Sequence, residues 1–260
     1  MQGWIDVYET VNDDGLPIRV MDSEGAYQSA TYLGEHRYEL AFDYHRAYNH
    51  LFEALSPDKI LMLGGGGYAY PKHVVRNHPG IRVDVVEIDP LITAIARKHF
   101  FIDELIDELG PDADRRLRLI TAEAREFLDS CTERYGAVVN DCFRGRSPVM
   151  TLASVESAWA IKRCLEPDGI YLTNIISSLE GDESYYLHSI VRTLREEFGH
   201  VWVVPCNPDV PVERANNIVI ASDGPYTFSE TYPLEPSDAS RVFHDDLAAM
   251  YEDLFWVEDA

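Results

Sequence analysis

The junction at Lys59 to Gly67 constrains this chain more than any other feature. A short apolar run, Lys59 to Leu63, meets four consecutive glycines, Gly64 to Gly67. A buried strand that ends in a turn built for glycine, with a helix behind it, opens an α/β unit whose backbone can approach a ligand closely. From here onward strand and helix signals alternate. Helix signals resume at Pro71, taken as the first helical position, where the missing N–H costs nothing. Ile81 to Glu87 reads as a strand, and Asp89-Pro90 caps a helix to about Lys98. Arg116 to Thr121, Tyr135 to Asp141 and Ile170 to Ile176 read as further strands, with Glu123 to Leu128 a short helix between the first two. Leu152 to Leu165 and Leu187 to Phe198 carry helical stripes, and Val201 to Val204 and Ile218 to Ser222 close the series. Near-continuous apolar strands separated by amphipathic helices imply a doubly wound, mostly parallel, Rossmann-like α/β sheet covered on both faces.

The amino-terminal part differs. Pro17 to Val20 and Ala26 to Leu33 read as strands about the turn residues Ser23, Glu24 and Gly25. Tyr38 to Leu55 has helical spacing and ends at Ser56-Pro57-Asp58. The expected division is a small β domain at residues 1–36 and a Rossmann-like domain at 37–260. From about Glu235 the chain is acidic with an apolar stripe through Val242, Phe243, Leu247, Met250, Leu254 and Phe255. That stripe is expected to form a closing helix, packed on the domain or on the second subunit of a homodimer.

Charge removes whole classes of function. With 22 Lys and Arg against 45 Asp and Glu, the net charge is −23, the reverse of the basic footprint a nucleic-acid binder or an anionic membrane surface would need. Cys131, Cys142, Cys164 and Cys206 lie far apart, without the spacing of a zinc site or a disulfide framework. No metal is expected. The first residues have neither a basic nor an apolar signal-peptide region, and no apolar stretch approaches the roughly 20 residues that span a bilayer. The expectation is a soluble, cytoplasmic protein without nucleic-acid or membrane partners.

In an open parallel sheet, ligands bind beyond the carboxyl ends of the strands. Gly64, Gly66 and Ala69 satisfy a G-x-G-x-x-A turn there, and Gly65 shares it. Glu87 ends the second strand about 20 residues on, where a carboxylate can accept from both ribose hydroxyls. Asp89 is read as a helix cap. Glu123, after the third strand, either meets an adenine amino group or caps its own helix. Asp141, at the mouth of the fourth strand, suits a general base or a partner for a cationic reacting centre.

Four segments in order, Ile60 to Gly66, Val85 to Pro90, Glu123 to Leu128 and Tyr135 to Asp141, together with Glu24 to Gln28 and Tyr44-His45, resemble the spermidine synthase family. The resemblance spans residues 20 to 200. It implies a fold similar to class I S-adenosylmethionine-dependent methyltransferases, with an added amino-terminal β domain. It also implies a co-substrate that is S-adenosylmethionine or its decarboxylated form, and a small-molecule acceptor. By the same resemblance, Glu87 and the adjoining Ile88 hold the ribose, Glu123 and Ala124 the adenine end, and Gln28 and His45 enclose the nucleoside. Asp141 matches the aspartate that assists deprotonation of an acceptor amine. The family's usual dimers favour the homodimer.

Three departures bear on substrate. The family's Gly-Gly-Gly-Asp-Gly-Gly has Gly67 at its acid, its Asp-Ser-x-Asp-Pro loop has Arg144 at its second acid, and its Tyr-His-Glu has Arg46 at the Glu. Against a polycation each reversal costs up to about 4 kcal/mol at 4 Å and an effective dielectric near 20. Arg144 and Arg146 either face the acceptor or point to solvent, with Glu156 or Glu180 then supplying the lost carboxylate. The expectation is a sulfonium-nucleoside transferase whose acceptor is not an ordinary polyamine. The alternatives are a true aminopropyltransferase that makes spermidine from putrescine, a nucleoside-binding protein without turnover and, more weakly, a nicotinamide-dependent dehydrogenase.

Overall fold

The computed structural model describes residues 4–23 and 25–246. Three antiparallel strands come first: β1 (Ile5–Val11), β2 (Pro17–Ser23) and β3 (Ala26–Tyr32), paired in chain order. Ile18, Val20, Ala30 and Tyr32 bury one another in a small cluster, whereas Met21 reaches the main core. The main sheet holds β4 (Lys59–Leu63), β5 (Arg82–Glu87), β6 (Leu117–Thr121), β7 (Tyr135–Asn140), β10 (Leu165–Ser177), β11 (His200–Pro205) and β12 (Ala215–Ser222). A two-residue ribbon, β8 (Phe143–Arg144) with β9 (Ser147–Pro148), follows β7.

The seven strands run in the order β11-β12-β10-β7-β4-β5-β6. Five are parallel, and β12 and β11 pair antiparallel at one edge. Side-chain alternation along β4 explains why both faces are covered: Leu61 and Leu63 join one buried cluster, Ile60 and Met62 the other. The chain runs outward from β4 through β5 and β6, then returns to lay β7 on the other side. That reversal leaves a crevice beyond the carboxyl ends of β4 and β7.

The flanking helices are α1 (Asp43–Ala47), α2 (Leu51–Ala54), α3 (Ala69–Asn77), α4 (Pro90–His99), α5 (Ile102–Leu109), α6 (Ala113–Arg116), α7 (Ala124–Ser130), α8 (Val155–Cys164) and α9 (Tyr185–Leu194). Among the described residues no helix is long and apolar enough to cross a membrane. The helix expected from Tyr38 starts only at Asp43, because Phe42 is extended, and a 3₁₀ turn at Tyr48–His50 divides it. Residues two apart diverge by about 160° around an α-helix but by about 120° in 3₁₀ geometry, which lets Tyr48 and His50 both turn inward. The helix after the glycines starts at Ala69 rather than Pro71. Pro71 remains in its first turn, where N–H groups have no partner in any case. Pro167, Asp168 and Gly169 form an irregularity within β10, between Leu165 and Ile170.

Residues 235–244 are not the expected helix. Phe243 inserts alone into the core, its N–H donating to Thr193 Oγ1 at 2.9 Å and its carbonyl accepting from Val155. Leu247, Met250, Leu254 and Phe255 lie outside the described residues, as does Glu24.

Lys72, on α3, joins the small sheet to the main core. It is wholly buried, donating to Thr31 Oγ1 at 2.5 Å and to the Phe100 carbonyl at 3.2 Å. Burial, helped by Arg19 and Arg37, pulls its ammonium down to about 7. Between pH 7 and the ordinary lysine value near 10.5 the unfolded chain therefore holds the extra proton, so stability from this group rises with pH. The expected slope reaches about 1.4 kcal/mol per pH unit. Urea unfolding of the natural chain and of Lys72→Met at pH 7 and pH 9 tests this: the natural chain should gain relative to the variant, and a pH-independent difference would refute it.

Candidate functional site

A cavity of about 860 Å³ opens at the crevice, within the range of small-molecule sites. One wall is the glycine turn. Gly64 has φ +88°, donates its N–H to the Val86 carbonyl at 2.9 Å, and lies so close to β7 that a Cβ would stand 2.5 Å from the Asp141 carbonyl oxygen. The side chain of Tyr68 folds beneath the turn, where it would strike a Cβ at Gly65 at 2.7 Å. Its own backbone is left-handed, and its hydroxyl hydrogen-bonds Thr93 at 2.8 Å. Burial pushes that phenol up to about 12. The sequence gives no local signal for this role, since a tyrosine after four glycines carries no periodicity.

Glu87 sits where the strand end puts it, nearly buried. One carboxylate oxygen accepts from the N–H groups of Gly65 and Gly66 at 2.8 and 3.3 Å, and the other from Asp89 at 2.9 Å. Asp89 accepts from Leu91 as the helix cap foreseen, and Glu123 likewise caps α7, accepting from Glu126 at 2.8 Å. Glu123, Ala124 and the exposed Ile88 all line the cavity, so capping and cavity placement coexist at Glu123.

At the other end stands Asp141. One oxygen accepts from Asn174 Nδ2 at 3.2 Å, and the other lies 3.5 Å from His45 Nε2. His45 comes from α1, buried among rings, with Tyr44 centred 4.1 Å away. Burial first, then the Asp141 carboxylate, raise the Tyr44 and Tyr48 phenols well above the ordinary tyrosine value. The Tyr48 hydroxyl nonetheless closes no hydrogen bond, and neither do buried His45 Nδ1 and Asn174 Oδ1. His45 and Asn174 line the cavity, so a polar ligand can supply what they lack. Periodicity and motif do not point to Asn174, whose one signal is a polar residue in an apolar strand. Burial also drives the Cys142 thiol well above its usual range.

Gln28 lines the cavity and donates to the Gly145 carbonyl at 3.3 Å. Arg144 and Arg146 line it as well, exposed at its mouth. Arg46 does not: it pairs with Asp43 and donates to the Tyr32 hydroxyl. Glu156 and Glu180 also lie elsewhere, engaged with Asp245 and Tyr232 respectively, so neither replaces a carboxylate here. Among the described residues no three His, Cys, Asp or Glu side chains group as metal ligands would.

Gly67 has no room for a side chain. A Cβ there would meet Ser29 Oγ at 2.5 Å and the Phe100 ring at 2.8 Å. Gly67→Asp, which reinstates the acid of the resembled motif, is therefore expected to destabilise by about 1–3 kcal/mol and to gain no response to putrescine. Thermal melts with and without the diamine check both statements; a putrescine-dependent rise in melting temperature would contradict the second.

The model of the spermine/spermidine synthase domain matches residues 41–213. A polyamine aminopropyltransferase of Erwinia tasmaniensis is 27% identical over 163 residues, which is 62% of this chain and 55% of that protein. The chain spans about half the length of the curated relatives it matches. Among solved structures, a probable spermidine synthase from Corynebacterium glutamicum superposes with a TM-score of 0.75 at 20% identity, over 94% of this chain and 95% of that one. Human methyltransferase-like protein 13, in complex with SAH, gives 0.59 at 17% identity over 72% and 85%. The fold is methyltransferase-like.

Proposed function

The chain belongs to the spermine/spermidine synthase family, and on that premise we propose a transferase that holds S-adenosylmethionine or its decarboxylated form and passes a carbon group to an amine other than an ordinary polyamine. One observation carries the reading: the glycine turn with its Glu87 carboxylate and the Asp141 carboxylate share one cavity, in backbone contact through Gly64.

Gly64, Gly65 and Gly66 let the backbone come close to a nucleoside. Glu87 offers acceptor oxygens to ribose hydroxyls in exchange for its glycine N–H partners. Ile88 and Ala124 give apolar contact, and Glu123 faces the adenine end. When bound, the donor's sulfonium makes its neighbouring carbon electrophilic and provides a neutral thioether leaving group. The protein's share is orientation, which alone can supply about 7–11 kcal/mol of the barrier, and proton removal. Asp141, fixed by Asn174 and His45, accepts the proton that the acceptor nitrogen must lose. Arg144 and Arg146 are the lysine or arginine side chains among the described lining residues, and they repel a dication.

Methylthioadenosine at 100 times its Kd is expected to stabilise the chain by about 2.7 kcal/mol, whereas putrescine should add nothing. Thermal shift measures both. Absence of any methylthioadenosine effect would remove the nucleoside reading. Spermidine formed from putrescine and decarboxylated donor would instead make the chain an ordinary aminopropyltransferase. Binding without product across a panel of amines and amino acids would leave a nucleoside-binding protein.

A further inference from the structure

Resting on that nucleoside reading, we propose that Arg146, Arg144 and Ser29 form a carboxylate subsite at the donor's tail, so that the donor is S-adenosylmethionine with its carboxylate intact. Position is the first support. The start of β3 lies against the glycine turn: a Cβ at Gly66 would stand 3.5 Å from the Gln28 carbonyl, and one at Gly67 2.5 Å from Ser29 Oγ. The turn between β8 and β9 is tied to this same segment from the other side. Gln28 Nε2 donates to Gly145 at 3.3 Å, and an Arg146 guanidinium N–H to Gly25 at 3.2 Å. The ribbon that carries Arg144 and Arg146, both lining the cavity, therefore meets the segment packed on the glycine turn at the end away from Glu123, where the tail of a nucleoside held by Glu87 must run.

Charge is the second support. The carboxylates of this cavity are engaged elsewhere: Glu87 with three backbone N–H groups, Asp89 and Glu123 with helix N-termini, Asp43 with Arg46, Asp141 with Asn174. At the tail Arg144, Arg146 and Ser29 line the cavity, and Gly67 is too crowded to carry an acid. A decarboxylated tail presents only an ammonium to this end. An intact tail adds a carboxylate, for which guanidinium N–H groups are the strongest natural partners.

Calorimetric titration of the full chain with S-adenosylmethionine, its decarboxylated form and methylthioadenosine tests the assignment. S-adenosylmethionine should bind about tenfold tighter than either of the others, a difference of about 1.4 kcal/mol. The variant Arg144→Gln/Arg146→Gln should bring it to the level of methylthioadenosine, whose own affinity is unchanged and reports that the variant is folded. If the double variant does not fold, Arg146→Gln alone should reduce the S-adenosylmethionine preference at least threefold. Equal or tighter binding of the decarboxylated form overturns the proposal while methylthioadenosine binding keeps the nucleoside reading. Failure of methylthioadenosine to bind overturns both. Tightening by 4-aminobutyrate over butylamine in the presence of methylthioadenosine, without any preference for S-adenosylmethionine, would put the carboxylate on the acceptor and overturn the donor assignment.

Discussion

Asp141→Asn is expected to keep methylthioadenosine affinity within about twofold and to lower turnover by about 10²–10⁴-fold, the usual span for removing a general base. The amide retains the side chain's shape and an oxygen for Asn174 Nδ2, so the pocket stays formed. What disappears is the capacity to take a proton from an ammonium or amine. Titration calorimetry and steady-state kinetics on one preparation separate the two effects. Unchanged turnover would take Asp141 out of the chemistry. A parallel loss of nucleoside affinity would make it part of the donor wall instead.

Gly64→Ala is expected to lose about 3 kcal/mol of stability, from a left-handed backbone and a methyl group driven into a carbonyl. For a domain of this size that is a fall of about 6–12 °C in melting temperature. The obstacle is the backbone of Asp141 and Cys142, with the Asp141 oxygen 2.5 Å away, so rotation of a side chain gives no relief. Gly80→Ala is the control: it shares a positive φ, +109°, but nothing lies within 4 Å of its Cβ position. Its loss should be confined to backbone strain, about 1–2 kcal/mol. Equal losses in the two variants would show that contact with β7 contributes nothing. The Gly64 variant should also bind methylthioadenosine more weakly, because relief of the clash moves the Asp141 backbone.

The sequence made some features plain because their chemistry is local. Asp89-Pro90 announces a helix start whatever surrounds it, and it caps α4 as read. Glu87 and Asp141 stand out because strand ends in a parallel sheet open into one crevice, a rule of topology that needs no side-chain detail. What stayed hidden depends on distant neighbours. The stripe from Tyr38 to Leu55 looked continuous, yet the burial of both Tyr48 and His50 divides it. Phe243 looked like part of a helix face, whereas a hydrogen bond to Thr193 places it as a single plug. Arg46 looked like a reversed charge in the site, but Asp43, three residues before it, takes it up. The importance of Tyr68 lies in a left-handed backbone and a partner on α4, neither of which a pattern of apolar and polar residues encodes.

The backbone contact between Gly64 and Asp141 has a consequence for how such a site can diversify. The glycine turn and the Asp141 backbone are packed as one frame, so neither can be shifted without disturbing the other. New substrates must then be accommodated by parts outside that frame, namely the short ribbon after β7 and the first residues of β3. Of the departures from the family's motifs, Arg144 stands on that ribbon and Gly67 packs against Ser29 near the start of β3.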